Sequence, residues 1–169
     1  MAELTAVRVR ELLHYNSETG IFTWKVGGGG WRRIGAQAGN LNNRGYLRIK
    51  IDGRDYAAHR LAWLYAHGEW PKGHLDHVNR VKADNRMSNL RLATRSQNRM
   101  NAVGKSSTGF KGVYWNKSAG KFLVKLQVNG KQIYRGLFTT AEKAHKAYCA
   151  VAKHYHGEFA CFAHRGDSA

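Results

Sequence analysis

Leu47, Ile49 and Ile51 alternate with Tyr46, Arg48 and Lys50, the period of two expected of a half-buried strand. Asp52-Gly53 follows it and is a hairpin turn signal. The period then changes. In "DYAAHRLAWLYAHG" Leu61, Leu64 and Tyr65 fall on one helical face, and Pro71, the only proline, closes that neighbourhood. Nearer the start, "LTAVRVRELLHYN" sets Leu4, Val7 and Leu12, with Val9 beside them, on a broad apolar stripe, so a short helix is expected. "GIFTWKV" reads as a strand. "GGGGWRR" (27–33) reads as a loop, because no Gly-Lys-Ser/Thr follows to make it a phosphate cradle.

Residues 75–101, "LDHVNRVKADNRMSNLRLATRSQNRMN", are expected to form a strand, a long polar loop, a short strand ("LRLAT") and a helix capped by Thr94 or Ser96. "GKSSTG" (104–109) is the best linker candidate. Three strands then follow, "FKGVYWN", "KFLVKLQV" and "KQIYRGLF", with a hairpin turn at Asn129-Gly130. In the second of them Phe122, Val124, Leu126 and Val128 point one way, and Lys121, Lys125 and Gln127 the other. A final helix carries Ala144, Ala147, Tyr148, Val151 and Tyr155 on one stripe, with Thr139 and Glu142 placed for a capping box and Gly157 as its stop. The fold class expected is α+β, built of small modules.

Charge changes the picture most. Lys and Arg number 28 against 11 Asp and Glu, a net +17 with pI near 10.3. The excess is +4 over residues 1–70, +6 over 71–105 and +7 over 106–169, so it is spread along the chain. Such a field attracts polyanions, and nucleic acid is the favoured partner. No run of 18 apolar residues suggests a membrane helix. The first 16 residues, with Glu3 and Glu11, do not read as a secretory signal. Cys149 and Cys161 lack metal-ligand spacing, so a reduced, cytoplasmic setting is expected. The tail "HYHGEFACFAH" does not read as zinc-binding, because His154 and His156 fall on different helix faces.

Residues 75–101 hold one His and five Asn. Phosphodiester hydrolysis needs a base that works near pH 7, which suits His. It also needs a hard cation at the phosphate, which suits a carboxylate and an amide. Asp76 and His77 are adjacent at the end of an expected strand, and Asn98 follows on the expected helix, 22 residues after Asp76. Asn89 lies in the loop between them, where an amide can fix backbone groups. Asp84 and Asn85 read as loop-shaping residues. His59 and His74 fit structural roles or roles near the scissile phosphate equally well. "DH", "SNL" 12 residues after His77 and "QN" nine further on together resemble the HNH nuclease motif of the ββα-metal fold. The closer resemblance is to phage and intron homing endonucleases, in which the last His is often replaced by Asn. That resemblance implies Asp76 and Asn98 as metal ligands, His77 as general base, Asn89 as the structural Asn, and Mg²⁺ as the ion, with Mn²⁺ as the alternative.

"FKGV", "GLFTTAEKA" and "AHKAY" resemble the AP2 DNA-binding domain over residues 109–162. The resemblance implies a three-stranded antiparallel sheet packed on one helix and laid in the major groove. It implies Tyr114, Trp115, Lys117, Lys121, Lys125, Gln127, Tyr134 and Arg135 as candidate contacts. Packing at the sheet rim is the competing role for the three aromatics. Arg48 and Lys50 of the N-terminal region, and Arg91, Arg95 and Arg99 as a group, are further candidate DNA contacts.

The organisation expected is an N-terminal helix and strand-hairpin region (1–57), an HNH core (58–103), a linker (104–109) and an AP2-like reader (110–163). The function expected is metal-dependent cleavage of duplex DNA by a phage or mobile-element endonuclease in a bacterial cytoplasm. No small-molecule substrate and no membrane partner are expected. One HNH site nicks one strand, and with no heptad or long apolar patch a monomer or weak dimer is expected. Two alternatives stay open: a non-catalytic DNA-binding regulator that uses the AP2-like unit, and a protein directed at RNA.

Overall fold

The structure is a computed structural model that describes residues 3–29, 32–104, 106–128 and 130–163. It divides between Ala93 and Thr94 into two compact units. The expected 58–103 segment therefore contributes to both.

The first unit opens with helix α1 (Ala6–Leu12), whose N-cap Thr5 accepts from the Arg8 backbone N–H. Val9 and Leu12 are buried, but Val7 is 65% exposed. The expected stripe is wrong at that position: residues two apart on a helix point to nearly opposite sides, so burying Val9 turns Val7 to solvent. The helix also ends earlier than expected. Leu13–Tyr15 forms strand β1, which pairs antiparallel with β2 (Phe22–Trp24).

Strands β3 (Asn40–Leu41), β4 (Leu47–Ile51) and β5 (Arg54–Ala57) form a three-stranded antiparallel sheet. Leu47, Ile49 and Ile51 are buried as their alternation requires. Asp52 and Gly53 both have positive φ (47° and 80°) in the two-residue turn from Ile51 to Arg54, the geometry that Asp-Gly favours. Helix α2 (Ala58–His67) buries Leu61 and Leu64 and ends on Gly68 in the left-handed conformation. Val9, Leu13, Phe22, Ile49, Ile51 and Leu61 are fully or almost fully buried in the core of this unit. Strands β6 (His74–His77) and β7 (Leu90–Ala93) then pair antiparallel, with a long loop between them.

The second unit begins at Thr94, N-cap of helix α3 (Arg95–Asn101). Its side chain accepts from the Gln97 N–H, and the Gln97 side chain accepts from the Thr94 N–H, so the helix start satisfies two of its own donors. Thr94→Ala is expected to cost about 1 kcal/mol, read as a lower urea midpoint for the full chain. Ser106 and Thr108, within the segment read as a linker, both donate to the Val113 carbonyl.

Strands β8 (Val113–Asn116), β9 (Lys121–Val128) and β10 (Lys131–Phe138) form an antiparallel sheet with β9 in the middle. Helix α4 (Ala141–His156) covers one face. Val113, Val124, Leu126, Ala144, Tyr148 and Ala152 make the core. The cap of α4 is Thr140, which accepts from the Lys143 N–H, not Thr139. The extended residue directly before the first helical turn is the one whose hydroxyl reaches those donors. Tyr155 is 38% exposed and Ala152 fills the stripe position instead. Asn129, half of the expected turn, lies outside the described residues. Among those residues no helix is long and apolar enough to cross a membrane.

Candidate active site

Strand β6 brings Asp76 and His77 into the interior, at 6% and 5% exposure. Adjacent strand residues point to opposite sides, so the two side chains face different surroundings. Across the ladder, Asp76 is in register with Arg91 of β7 and His77 with Leu90.

Arg91 donates from both Nε and Nη2 to Asp76 Oδ2, at 3.0 and 2.8 Å. Both partners are largely shielded from water, so the cation orients the one carboxylate of the strand. Arg91, expected as a phosphate contact, is thus held against the expected metal ligand.

His77 sits in a cluster of rings. Its imidazole meets His59 edge-on at 5.2 Å between centroids, and Tyr46 lies 6.1 Å away. Nε2 lies 3.4 Å from Asn85 Oδ1. Burial lowers the His77 pKa, against the opposing pull of Asn85 and of the Asp76 and Asp84 carboxylates. That shift favours the neutral ring, the form that a proton acceptor needs.

His59 is more strongly affected. Burial first, then the neighbouring His77, Arg60 and Arg48, push it down to about 4. An unfolded His59 titrates near 6.5, so between pH 6.5 and 4 the unfolded chain binds a proton that the folded one refuses. Stability is whole above about pH 6.5 and falls as pH drops toward 4, by about 3 kcal/mol from this group. His77 acts in the same direction. Urea midpoints measured from pH 7.5 to 4.5 should fall, and less steeply in His59→Phe.

The loop from Val78 to Asn89 is held by its amides. Asn89 Nδ2 donates to the Asp84 carbonyl at 2.8 Å, and its Oδ1 accepts from the Asn79 N–H at 2.9 Å. The Asn89 amide thus ties two points of the loop backbone together. Asn79, which had no role from sequence, donates to Asp84 Oδ2 at 2.7 Å and accepts from the Val81 N–H. Arg86 holds the Asp84 carboxyl well below its usual range, to about 2.

The N-terminal hairpin braces the same loop. Tyr15 donates its hydroxyl proton to the Asn85 carbonyl at 2.7 Å. Gly20 (φ 74°) lies so close to the Asn85–Arg86 backbone that any side chain would collide with it. Asn85 is 1% exposed, so the residue facing His77 is fixed from both sides. No local pattern marks Tyr15 or Gly20, because they reach the site only through tertiary contact.

Asn98 stands half-buried on α3, in the second unit. Arg48 donates to the Asp55 carbonyl at 2.8 Å, and Lys50 is exposed. Among the described residues no three His, Cys, Asp or Glu side chains cluster as a metal site. The donors that the motif offers are one carboxylate and amides. Such a set fits a hard cation that takes water and phosphate oxygens for the rest of its shell. It lacks the nitrogen and sulfur ligands of a closed zinc site.

Residues 56–100 match the family model described as HNH endonuclease. An HNH endonuclease domain is present there. No curated protein and no solved structure gives a match to the chain. The matched segment contains β6, the amide-braced loop, β7 and most of α3, so His77, Asp76, Asn89 and Asn98 all lie inside the HNH domain. A domain of this type supports nuclease activity and implies a DNA substrate.

Of the sheet residues named from sequence, Lys117, Lys121, Tyr114, Trp115, Tyr134 and Gln127 are exposed. Strand alternation puts Trp115 on the side of Val113, where it meets Phe122 edge-on at 4.8 Å. Tyr114 is on the other side, with the Lys125 ammonium 4.4 Å from its ring centroid. Arg135 donates to the Tyr155 hydroxyl at 3.1 Å and lies in a bulge between Tyr134 and Leu137.

Proposed function

We propose that this protein is a metal-dependent DNA endonuclease of the homing type, in which the HNH domain cuts and the second unit reads DNA. The observation that carries the reading is His77: a buried imidazole of lowered pKa next to Asp76, on a strand whose loop is locked by Asn89 and Asn85. His77 takes a proton from water, which attacks the phosphorus in line with the leaving oxygen. Asn85 and the ring cluster keep the imidazole in one orientation, and burial keeps it unprotonated. Arg91 fixes the direction of Asp76.

Asp76 and Asn98 are the residues that would hold Mg²⁺ or Mn²⁺. Such an ion, when bound, supplies charge neutralisation at the phosphate and at the departing oxygen. A three-stranded antiparallel sheet with one helix on it, β8–β10 with α4, supports reading the second unit as an AP2-like DNA-binding module. Its outward Lys121, Lys125 and Gln127 support DNA contact through that face. Lys and Arg would chiefly hold phosphates, and Gln127 could read a base edge.

Supercoiled plasmid incubated with the protein and Mg²⁺ should become nicked, and EDTA should stop it. Intact plasmid under both conditions would favour the non-catalytic regulator. Cut positions mapped on both strands would show whether one site acts alone.

A further inference from the structure

The second unit contains a cavity of about 620 Å³ walled by α3, the Lys111–Gly112 segment, β8, β9 and α4. Arg95, Arg99, Lys111 and Lys125 line it, and among the described residues no carboxylate does. Its cations are organised by the fold. Lys111 donates to the carbonyls of Arg99, Met100 and Ala102 at the end of α3, which pins that helix to the wall. Lys125 is held over Tyr114. Arg95 and Arg99 are exposed on consecutive turns of α3.

A second observation points to a ligand. Tyr148 also lines the cavity and is 1% exposed, yet its hydroxyl has no hydrogen-bond partner among the described residues. An unpartnered buried hydroxyl is costly, and a hydroxyl can donate to a phosphate oxygen. The strand edge is open here too. Strand β8 pairs with β9 only as far as Val124, so Leu126–Val128 has no strand neighbour on that side among the described residues.

We infer that this cavity is a DNA phosphate site, in which Arg95, Arg99 and Lys125 clamp one stretch of backbone between α3 and the sheet. The inference rests on the endonuclease reading for its partner and goes beyond it. It makes α3, the helix that carries Asn98, one wall of the reader's own DNA grip.

The test is a scan of a bound duplex with single neutral methylphosphonate linkages, using the full-length protein. In the wild type, neutralising one or two adjacent phosphates should weaken binding roughly tenfold. In Arg95→Gln/Arg99→Gln, and separately in Lys125→Gln, those same positions should no longer matter. The salt slope of log K should also fall by about 0.9 for each phosphate that the variant no longer neutralises. Lys146→Gln, exposed on α4 and outside the cavity, should keep the wild-type profile.

A wild-type profile in the cavity variants overturns the inference and leaves the endonuclease reading standing, provided the wild type still cuts. Saturable binding of inorganic phosphate in the cavity, with no methylphosphonate effect, also overturns it by assigning the site to a free anion. A wild type that neither binds nor cuts duplex DNA sinks both.

Discussion

His77→Ala is expected to slow DNA cleavage by roughly 10²–10⁴-fold while leaving duplex binding intact. The imidazole is the one group at the end of β6 that is both buried and neutral near pH 7. Its neighbour Asp76 is engaged by Arg91, and His59 is turned against the ring of His77. Neither takes over proton abstraction without moving. Gel-shift affinity and single-turnover cleavage, measured side by side, separate chemistry from binding. Unchanged cleavage by the variant would remove His77 from the mechanism.

The pH profile follows from the same burial. On the proposed mechanism, cleavage should require unprotonated His77 and should fail as pH falls through its pKa. Because that pKa is lowered, the acid limb of kcat/KM should lie below the value of about 6.5 expected of a free imidazole. Asn85→Ala removes an amide that favours the charged ring, so it should move the limb further toward acid if the ring stays buried.

Asp76→Ala carries the second large effect, and it has two parts. The substitution takes a carboxylate from a mostly buried ion pair, which typically costs about 3 kcal/mol or more. It also deletes the one anionic donor proposed for the metal. Urea denaturation reads the first loss, and calorimetric Mg²⁺ or Mn²⁺ titration reads the second. The double variant Asp76→Ala/Arg91→Met relieves the stranded guanidinium, so it should regain much of the stability and none of the metal response. Recovery of both would mean that Asp76 serves the ion pair alone.

The sequence determined the elements that local periodicity encodes. Leu47, Ile49 and Ile51 defined β4, Asp52-Gly53 defined its turn, and Phe122, Val124, Leu126 and Val128 defined the inward face of β9. The spacing of Asp76, His77, Asn89 and Asn98 was equally legible, because a motif is a linear pattern. Periodicity failed where neighbours far along the chain decide. Val7 satisfied the helical stripe but lost its place in the core to Val9. β1 was missed because Leu13–Tyr15 runs straight on from α1, with no turn signal between the two elements.

Only the tertiary structure decided what surrounds the motif. Arg91 meets Asp76 through strand register, and Tyr15 and Gly20 hold the loop across some 65 to 70 residues of chain. Asn85 comes to face His77 only when the β6–β7 loop closes. The lowered pKa values of His59 and His77 arise from burial. Burial is a property of packing in three dimensions, so no single stretch of sequence carries it.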